Sequence, residues 1–289
     1  MMKLPITPLV RLEKVSKGLG SDVYAKLENV NPTGSHKDRE SLAMLEDMSA
    51  HHAKDAVIAS TGNAAISLSA LALGRGIHVI VFVSRNISRE RFDLISVFKP
   101  DIRMVDGGYD DAVRESERFV AANGLYDANP GHNSHKIVGD SGIGTEISSQ
   151  LGNSPPDYIV VPTNNGTLIS GVWAGVRKSF TPKMIGAVAR ESALMGSISG
   201  YHRFEEQELD RTLSEGGSEV VNITDEEAAE ATRELWLEGV FCEPASAASL
   251  AALKKLNIRG KSVVLVITGS AFKFLDSYSK AIGTALASM

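Results

Sequence analysis

The sequence predicts an α/β protein of two doubly wound parallel-sheet domains, and three observations lead there. Short runs rich in Val and Ile alternate with helical patterns along most of the chain. The runs are almost continuously apolar, as strands covered on both faces are, where half-exposed strands would alternate with polar residues. At 289 residues the chain exceeds the usual size of one domain, so one large or two closely associated domains with ample core are expected.

Taken in order, "AVIAS" (56–60) reads as a strand that runs through "STGN" into an Ala-rich helix, 64–75. A strand at 77–83, "IHVIVFV", precedes a helix at 88–98, and a strand at 102–106 precedes a helix at 110–122. After a loop-like stretch rich in Asn, His and Gly at 129–140, where two sub-sheets divide, a helix is expected at 140–151. Strands at 158–162 and 184–189 flank a helix at 168–179. The last helices, 226–238 and 245–256, are opened by Thr224 and Pro244, and a strand at 262–268 follows. The segment 200–222 is the least regular and most charged, and reads as a solvated excursion in preference to a mobile flap.

A net charge of −5 arises from residues scattered without a basic block, so nucleic acid and anionic membrane surfaces are not expected partners. No stretch is long and apolar enough to span a bilayer, and a cytoplasmic location is expected. The single cysteine, Cys242, leaves no intrachain disulfide or cysteine-based metal cluster and reads as buried filler. There is no internal repeat or low-complexity tract.

Ligands of open parallel sheets bind at the carboxyl ends of strands, where loops and helix N-termini converge. Three such junctions stand out. At 60–63, Ser60, Thr61, Gly62 and Asn63 offer hydroxyls and free N–H groups to a carboxylate, although Asn63 could equally be an ordinary N-cap. At 163–167, Thr163, Asn164, Asn165, Gly166 and Thr167 make a polar turn whose N–H groups suit a phosphate, with neither a Walker nor a GxGxxG pattern. At the end of "VVLVITGSAFKF", the Thr268 hydroxyl could meet a ring nitrogen. A fourth feature is Lys37, behind the "NPTGSH" turn and in front of an Asp-Arg pair that looks like a first helical turn. Together they describe a pyridoxal phosphate site.

"NPTGSHKDR", "STGN", "EPASAASLAAL" and "TGSAFK" occur in the order and rough spacing of the fold-type II pyridoxal phosphate enzymes, and within them the chain most resembles the threonine synthases. The resemblance runs from the N-terminal "ITPLVRLEKV" to the final helix. It implies a smaller domain of about 31–137 and a larger cofactor-binding domain of 1–30 and 138–289, with pyridoxal 5'-phosphate in the cleft between them and a homodimeric assembly. It assigns Lys37 to the Schiff base with the cofactor aldehyde and to proton transfer on the substrate. The positive end of the helix dipole would favour the neutral amine that this requires, against the pull of Asp38. Asn63 would lie beside the ring hydroxyl, and Ser60 and Thr61 would hold the substrate carboxylate. Residues 163–167 would hold the cofactor phosphate, and Thr268 would face the pyridine nitrogen. A hydroxyl there leaves the ring a weaker electron sink than an aspartate would, which favours elimination or replacement over transamination and so implies a lyase acting on a small amino acid.

The chain departs from the threonine synthase pattern at Asp140, Ser141 and Gly142, which stand where that group carries Gln-Lys-Thr, and at Ser270 and Ala271, where it often has His-Gly. Cations around a substrate phosphate are thus thinned, with His132, His135 and Lys136 as replacements. Conversion of O-phospho-L-homoserine to L-threonine leads. The alternatives are β-replacement on an activated serine, of the cysteine synthase kind, and deamination of serine or threonine.

Overall fold

The computed structural model describes residues 4–129, 131, 133–199, 206–215 and 219–287. The chain divides into two compact units, Met1–His36 with Asp140–Met289, and Lys37–Gly139. The first unit begins with β1 (Leu9–Arg11), α1 (Glu13–Leu19) and β2 (Asp22–Leu27). The second carries α2 (Lys37–Ala50), β3 (Asp55–Ala59), α3 (Asn63–Ala72), β4 (His78–Ser84), α4 (Arg89–Ser96), β5 (Asp101–Val105), α5 (Tyr109–Asn123) and β6 (Tyr126–Asp127). The unit boundary falls inside α6 (His135–Leu151). The first unit then continues through β7 (Tyr158–Pro162), α7 (Thr167–Val176), β8 (Lys183–Val188), α8 (Glu206–Glu215), β9 (Glu219–Asn222), α9 (Asp225–Leu237), α10 (Pro244–Lys255), β10 (Ser262–Ile267) and α11 (Leu275–Ala287).

The larger sheet has the order β1-β2-β10-β7-β8-β9 and is parallel apart from the antiparallel edge strand β1. Its centre is β10, whose Val263, Val264, Leu265, Val266 and Ile267 are all fully buried. Alternate residues of a strand point to opposite faces, so β10 feeds two cores. Val263, Leu265 and Ile267 join the Ala-rich face of α9 and α10, and Val264 and Val266 join Ile143 and Ile147 of α6 with Trp173 of α7. Helices on both faces are what a continuous apolar strand requires, and that is the doubly wound arrangement. The smaller sheet, β5-β4-β3-β6, is parallel throughout. Val57, Ala59, Ile80 and Phe82 pack there against Ala112 and Val113 of α5.

Several local choices explain the element ends. Gly74 and Gly76 have φ of 75° and 67°, so α3 stops at Ala72, short of the residue 75 that its composition suggests. Thr224 accepts from the Glu227 N–H in a capping box at the start of α9, and Pro244 occupies the first turn of α10. Within the charged stretch 200–222 the described residues carry regular structure that the composition does not signal, with side chains that are mostly exposed. Residues 206–215 form α8, and β9 pairs with β8 at the sheet edge. Residues 200–205 and 216–218 lie outside the described residues. Glu215 accepts from Trp173 Nε1 at 3.0 Å and from Arg177 at 2.7 Å, so its carboxyl is held below the usual range by the indole hydrogen bond first and the guanidinium second.

The crossing of α6 and α7 depends on two glycines. A Cβ on Gly144 would lie 2.1 Å from the Val172 carbonyl oxygen, and one on Gly175 would lie 2.0 Å from that of Ser141. Each helix therefore presents a bare backbone to the other. Gly175→Ala is expected to cost about 3 kcal/mol of stability, because neither backbone can yield without displacing a helix. Gly283→Ala in α11, where a Cβ would meet nothing within 4 Å, should instead stabilise by about 0.5–1 kcal/mol. Urea unfolding of both variants checks the contrast.

Candidate active site

The expected site residues fall into two groups, one in each unit. In the unit Lys37–Gly139, Lys37 opens α2 and the turn 60–63 joins β3 to α3. The two helices are linked near their starts by Ser67, whose hydroxyl donates to Asp38 Oδ1 at 2.6 Å and is left to accept from Ser41 Oγ, 2.9 Å away. Asp38 is therefore engaged on the α3 side. The carboxylate at Lys37 is that of Glu40, one turn on, which accepts from Nζ at 2.5 Å with its side chain only 2 % exposed. This adds Glu40 to Asp38, the one carboxylate that the sequence reading set against the helix dipole. An amine that is to attack an aldehyde has to give up that ion pair and a proton.

The turn 60–63 is built without a side-chain cap. Gly62 is the N-cap, and Asn63 is already the first helical residue, so the ordinary capping role open to Asn63 is not the one it takes. Ser60 N–H donates to the Phe82 carbonyl, and Ser60 Oγ accepts from Gly62 N–H at 3.2 Å. Asn129, fully buried, receives the Ala59 N–H at 2.8 Å and gives its own amide to Ser116 Oγ at 3.0 Å, which fixes the end of β3. Sequence reasoning missed Arg91 altogether. Its Nη1 donates to the Thr61 carbonyl at 3.3 Å and would lie 3.1 Å from a Cβ on Gly62, so this turn combines helix N–H groups, two hydroxyls and a guanidinium. The absent side chain at Gly62 is the one signal that could have pointed to it.

In the other unit, Thr163 and Thr268 follow the carboxyl ends of the neighbouring strands β7 and β10. Thr163 N–H donates to the Ala187 carbonyl at 2.8 Å, Asn164 gives its amide to the Ser199 carbonyl at 3.2 Å, and Asn165 Oδ1 accepts from Thr167 N–H at 3.3 Å. Gly166, with φ of 92°, turns the chain into α7. Thr163 Oγ1, Asn164 Oδ1 and Thr167 Oγ1 are buried with no hydrogen-bond partner among the described residues. Buried hydroxyls without partners are costly, and the two threonine hydroxyls of this turn, at a helix N-terminus, can donate to the oxygens of a phosphate; Asn164 Oδ1 can only accept, so Asn164 can contribute only its backbone N–H. Thr268 is 4 % exposed, its carbonyl accepts from His36 N–H at 2.9 Å, and its hydroxyl meets Ser246 Oγ at 2.8 Å.

Of the three candidate replacement cations, His135 lies 3.4 Å from Asp47 Oδ1, Lys136 is only 2 % exposed, and His132 lies outside the described residues. Lys273 Nζ donates to the carbonyls of Thr33 and Gly34 and so holds the turn before Lys37. Burial pushes the Cys242 thiol far above its ordinary range, which keeps it protonated and inert. An open groove of about 750 Å³ lies between Arg11, Lys14, Lys17, Asp22, Lys261 and Ser262. It sits where β2 and β10 begin, the opposite edge of the sheet from the one at which parallel sheets bind ligands.

The family described as "Pyridoxal-phosphate dependent enzyme" matches residues 3–269. A threonine synthase of Bacillus sp. (strain ULM1) is 30% identical, over 93% of this chain and 84% of its own. Among solved structures, the processed form of threonine deaminase isoform 2 from Solanum lycopersicum superposes with a TM-score of 0.83 at 20% identity, covering 98% of this chain and 88% of that one. O-Acetyl Serine Sulfhydrylase isoform 3 from Entamoeba histolytica gives 0.80 at 20% identity, covering 97% and 93%. At such identities these two likenesses concern the fold.

If 163–167 receives a phosphate, Thr167→Val removes one hydrogen bond to a charged group, worth about 2 kcal/mol, and should raise the Kd for pyridoxal phosphate roughly thirtyfold. Pyridoxal without its phosphate should bind both proteins alike. Titration of the apoprotein by absorbance checks both, and an unchanged Kd for pyridoxal phosphate would contradict the assignment.

Proposed function

The chain belongs to the pyridoxal-phosphate dependent enzyme family, and on that premise we propose that it converts O-phospho-L-homoserine to L-threonine. It is a pyridoxal phosphate lyase by family and by the relatives that span most of its length. The observation that carries the choice of substrate is Arg91. A dianionic phosphate needs a cation, and this guanidinium lies against the turn whose hydroxyls and N–H groups suit a carboxylate.

Bound pyridoxal phosphate supplies the electron sink that accepts the electron pair left when a substrate carbon loses its proton. The chain's own residues do the rest. Thr163 and Thr167 by their hydroxyls and Asn164 by its backbone N–H would hold the phosphate, Asn165 and Gly166 would shape its turn, Asn63 would stand at the ring hydroxyl, and Thr268 at the ring nitrogen. Ser60, Thr61 and the first turn of α3 hold the amino-acid carboxylate and so orient its α-carbon. Lys37 carries the cofactor at Nζ and then moves protons at the substrate carbons, with Glu40 as the carboxylate that receives Nζ when it is free. We further assign the enzyme to the cytoplasm, in keeping with its one buried cysteine, and to a homodimer. No helix among the described residues is long and apolar enough to cross a membrane.

Ser270 and Ala271, at the strand end where threonine synthases often carry His-Gly, favour a second reading, elimination or replacement on serine-type substrates. A panel of phosphohomoserine, phosphoserine with sulfide, acetylserine with sulfide, serine and threonine separates the two. Threonine release from phosphohomoserine is expected, whereas keto acid from serine or threonine with no turnover of phosphohomoserine would reject the proposal. Borohydride reduction followed by peptide mass analysis should find the cofactor on Lys37 alone, and Lys37→Ala should lose turnover while keeping its unfolding profile. Attachment at Lys136 or Lys273 would refute the assignment of Lys37.

A further inference from the structure

The Thr268 hydroxyl has one hydrogen-bond partner among the described residues, Ser246 Oγ at 2.8 Å. Ser246 is fully buried in the first turn of α10, and its Oγ accepts from Gly269 N–H at 2.9 Å. Its single hydrogen then has two candidate acceptors, Thr268 Oγ1 at 2.8 Å and the Gly269 carbonyl oxygen at 3.3 Å. O–H···O bonds are strongest at about 2.7–2.8 Å, so the contact at 3.3 Å is the weaker of the two. The Ser246 hydrogen therefore goes to Thr268. The Thr268 hydroxyl, having accepted, is left with its own hydrogen to give away.

We propose that Ser246 is a positioning residue that fixes the Thr268 hydroxyl as a donor and so holds the ring nitrogen of the cofactor unprotonated. The inference rests on the reading that Thr268 faces that nitrogen. An unprotonated pyridine nitrogen offers a lone pair to a donor. A protonated one offers only an N–H; accepting it on the second lone pair of Oγ1 would leave the buried Thr268 hydrogen without an acceptor among the described residues, unless the bond to Ser246 reversed and drove the Ser246 hydrogen onto a carbonyl 3.3 Å away. The ring is thereby kept a modest electron sink, which suits elimination and replacement.

Three other titratable groups of this unit surround the pair. Glu243 lies with its carboxylate against Gly269 and accepts from the Tyr278 hydroxyl at 3.4 Å. His36 has Nδ1 3.4 Å from the Thr268 carbonyl oxygen, and Cys242 is buried as a thiol. None is a hydrogen-bond partner of either hydroxyl, so the direction of the pair is set by Ser246 and the Gly269 backbone.

The test is ¹⁵N NMR of holoenzyme loaded with ring-labelled pyridoxal phosphate, followed across pH. Wild-type protein should show the unprotonated ring nitrogen at neutral pH, a result that requires no variant to fold. Ser246→Ala should raise the midpoint of ring-nitrogen protonation by about one pH unit, the equivalent of one hydrogen bond. Combined with Thr268→Ala, it should add no further shift, since Ser246 acts only through Thr268. A protonated ring nitrogen in the wild type overturns the proposal, as does a Ser246→Ala protein that titrates like the wild type while Thr268→Ala shifts. A Thr268→Ala protein that does not shift overturns the placement of Thr268 itself.

Discussion

The structure turns on a short backbone clasp between the turn 31–34 and the end of β10. His36 N–H donates to the Thr268 carbonyl at 2.9 Å, and Ser270 N–H to that of Gly34 at 2.9 Å. Lys273 adds its ammonium to the carbonyls of Thr33 and Gly34, and Gly34 itself requires φ of 80°. These contacts join two segments more than two hundred residues apart, so they form only when β10 has entered the middle of its sheet. The next residue after His36 is Lys37, so the clasp fixes where the chain leaves this unit and α2 begins.

A second constraint is the treatment of polar groups in the interior. Lys26 is fully buried in β2, yet Nζ donates to the Thr7 carbonyl, Glu146 Oε2 and Gln150 Oε1 at 2.6–2.9 Å. Glu28 accepts from Thr7 Oγ1 and from Asn31 Nδ2, which places the same network directly ahead of the clasp. Removing one member would leave a buried charge uncompensated, the costly case for an ion pair. The turn 163–167 differs in kind, since two of its partnerless buried atoms, Thr163 Oγ1 and Thr167 Oγ1, are hydroxyls at a helix N-terminus that can donate to a ligand.

Much of this was readable in the sequence, for identifiable reasons. Val263 to Ile267 and Val57 to Ala59 are apolar at every position, which parallel strands covered on both faces require, and Lys37, the turn 60–63 and Thr268 stand at strand ends or helix starts where chemistry is expected. What escaped depends on residues distant in sequence. β2 is disguised by Lys26, whose partners come from residues 7, 146 and 150. β9 has only Val220 and Val221 to mark it amid charged neighbours, and α8 is hidden by its charged composition, although Glu215 ties it to Trp173 and Arg177. Ser246 looks like one more small residue of an Ala-rich helix, and Arg91 like one of several arginines of a polar helix. Glu40 was within reach, since an i,i+3 spacing from Lys37 predicts the ion pair.

The central claim is that the carboxyl ends of β7 and β10, with the turn 163–167, form the seat of the cofactor. A crystal structure of the protein grown with pyridoxal phosphate tests it most directly. The account predicts phosphate oxygens within hydrogen-bonding distance of Thr163 Oγ1 and Thr167 Oγ1, with the ring nitrogen at Thr268 Oγ1. A cofactor bound instead in the groove beside Arg11, Lys17 and Lys261, with Thr163 and Thr167 still partnerless, would contradict it.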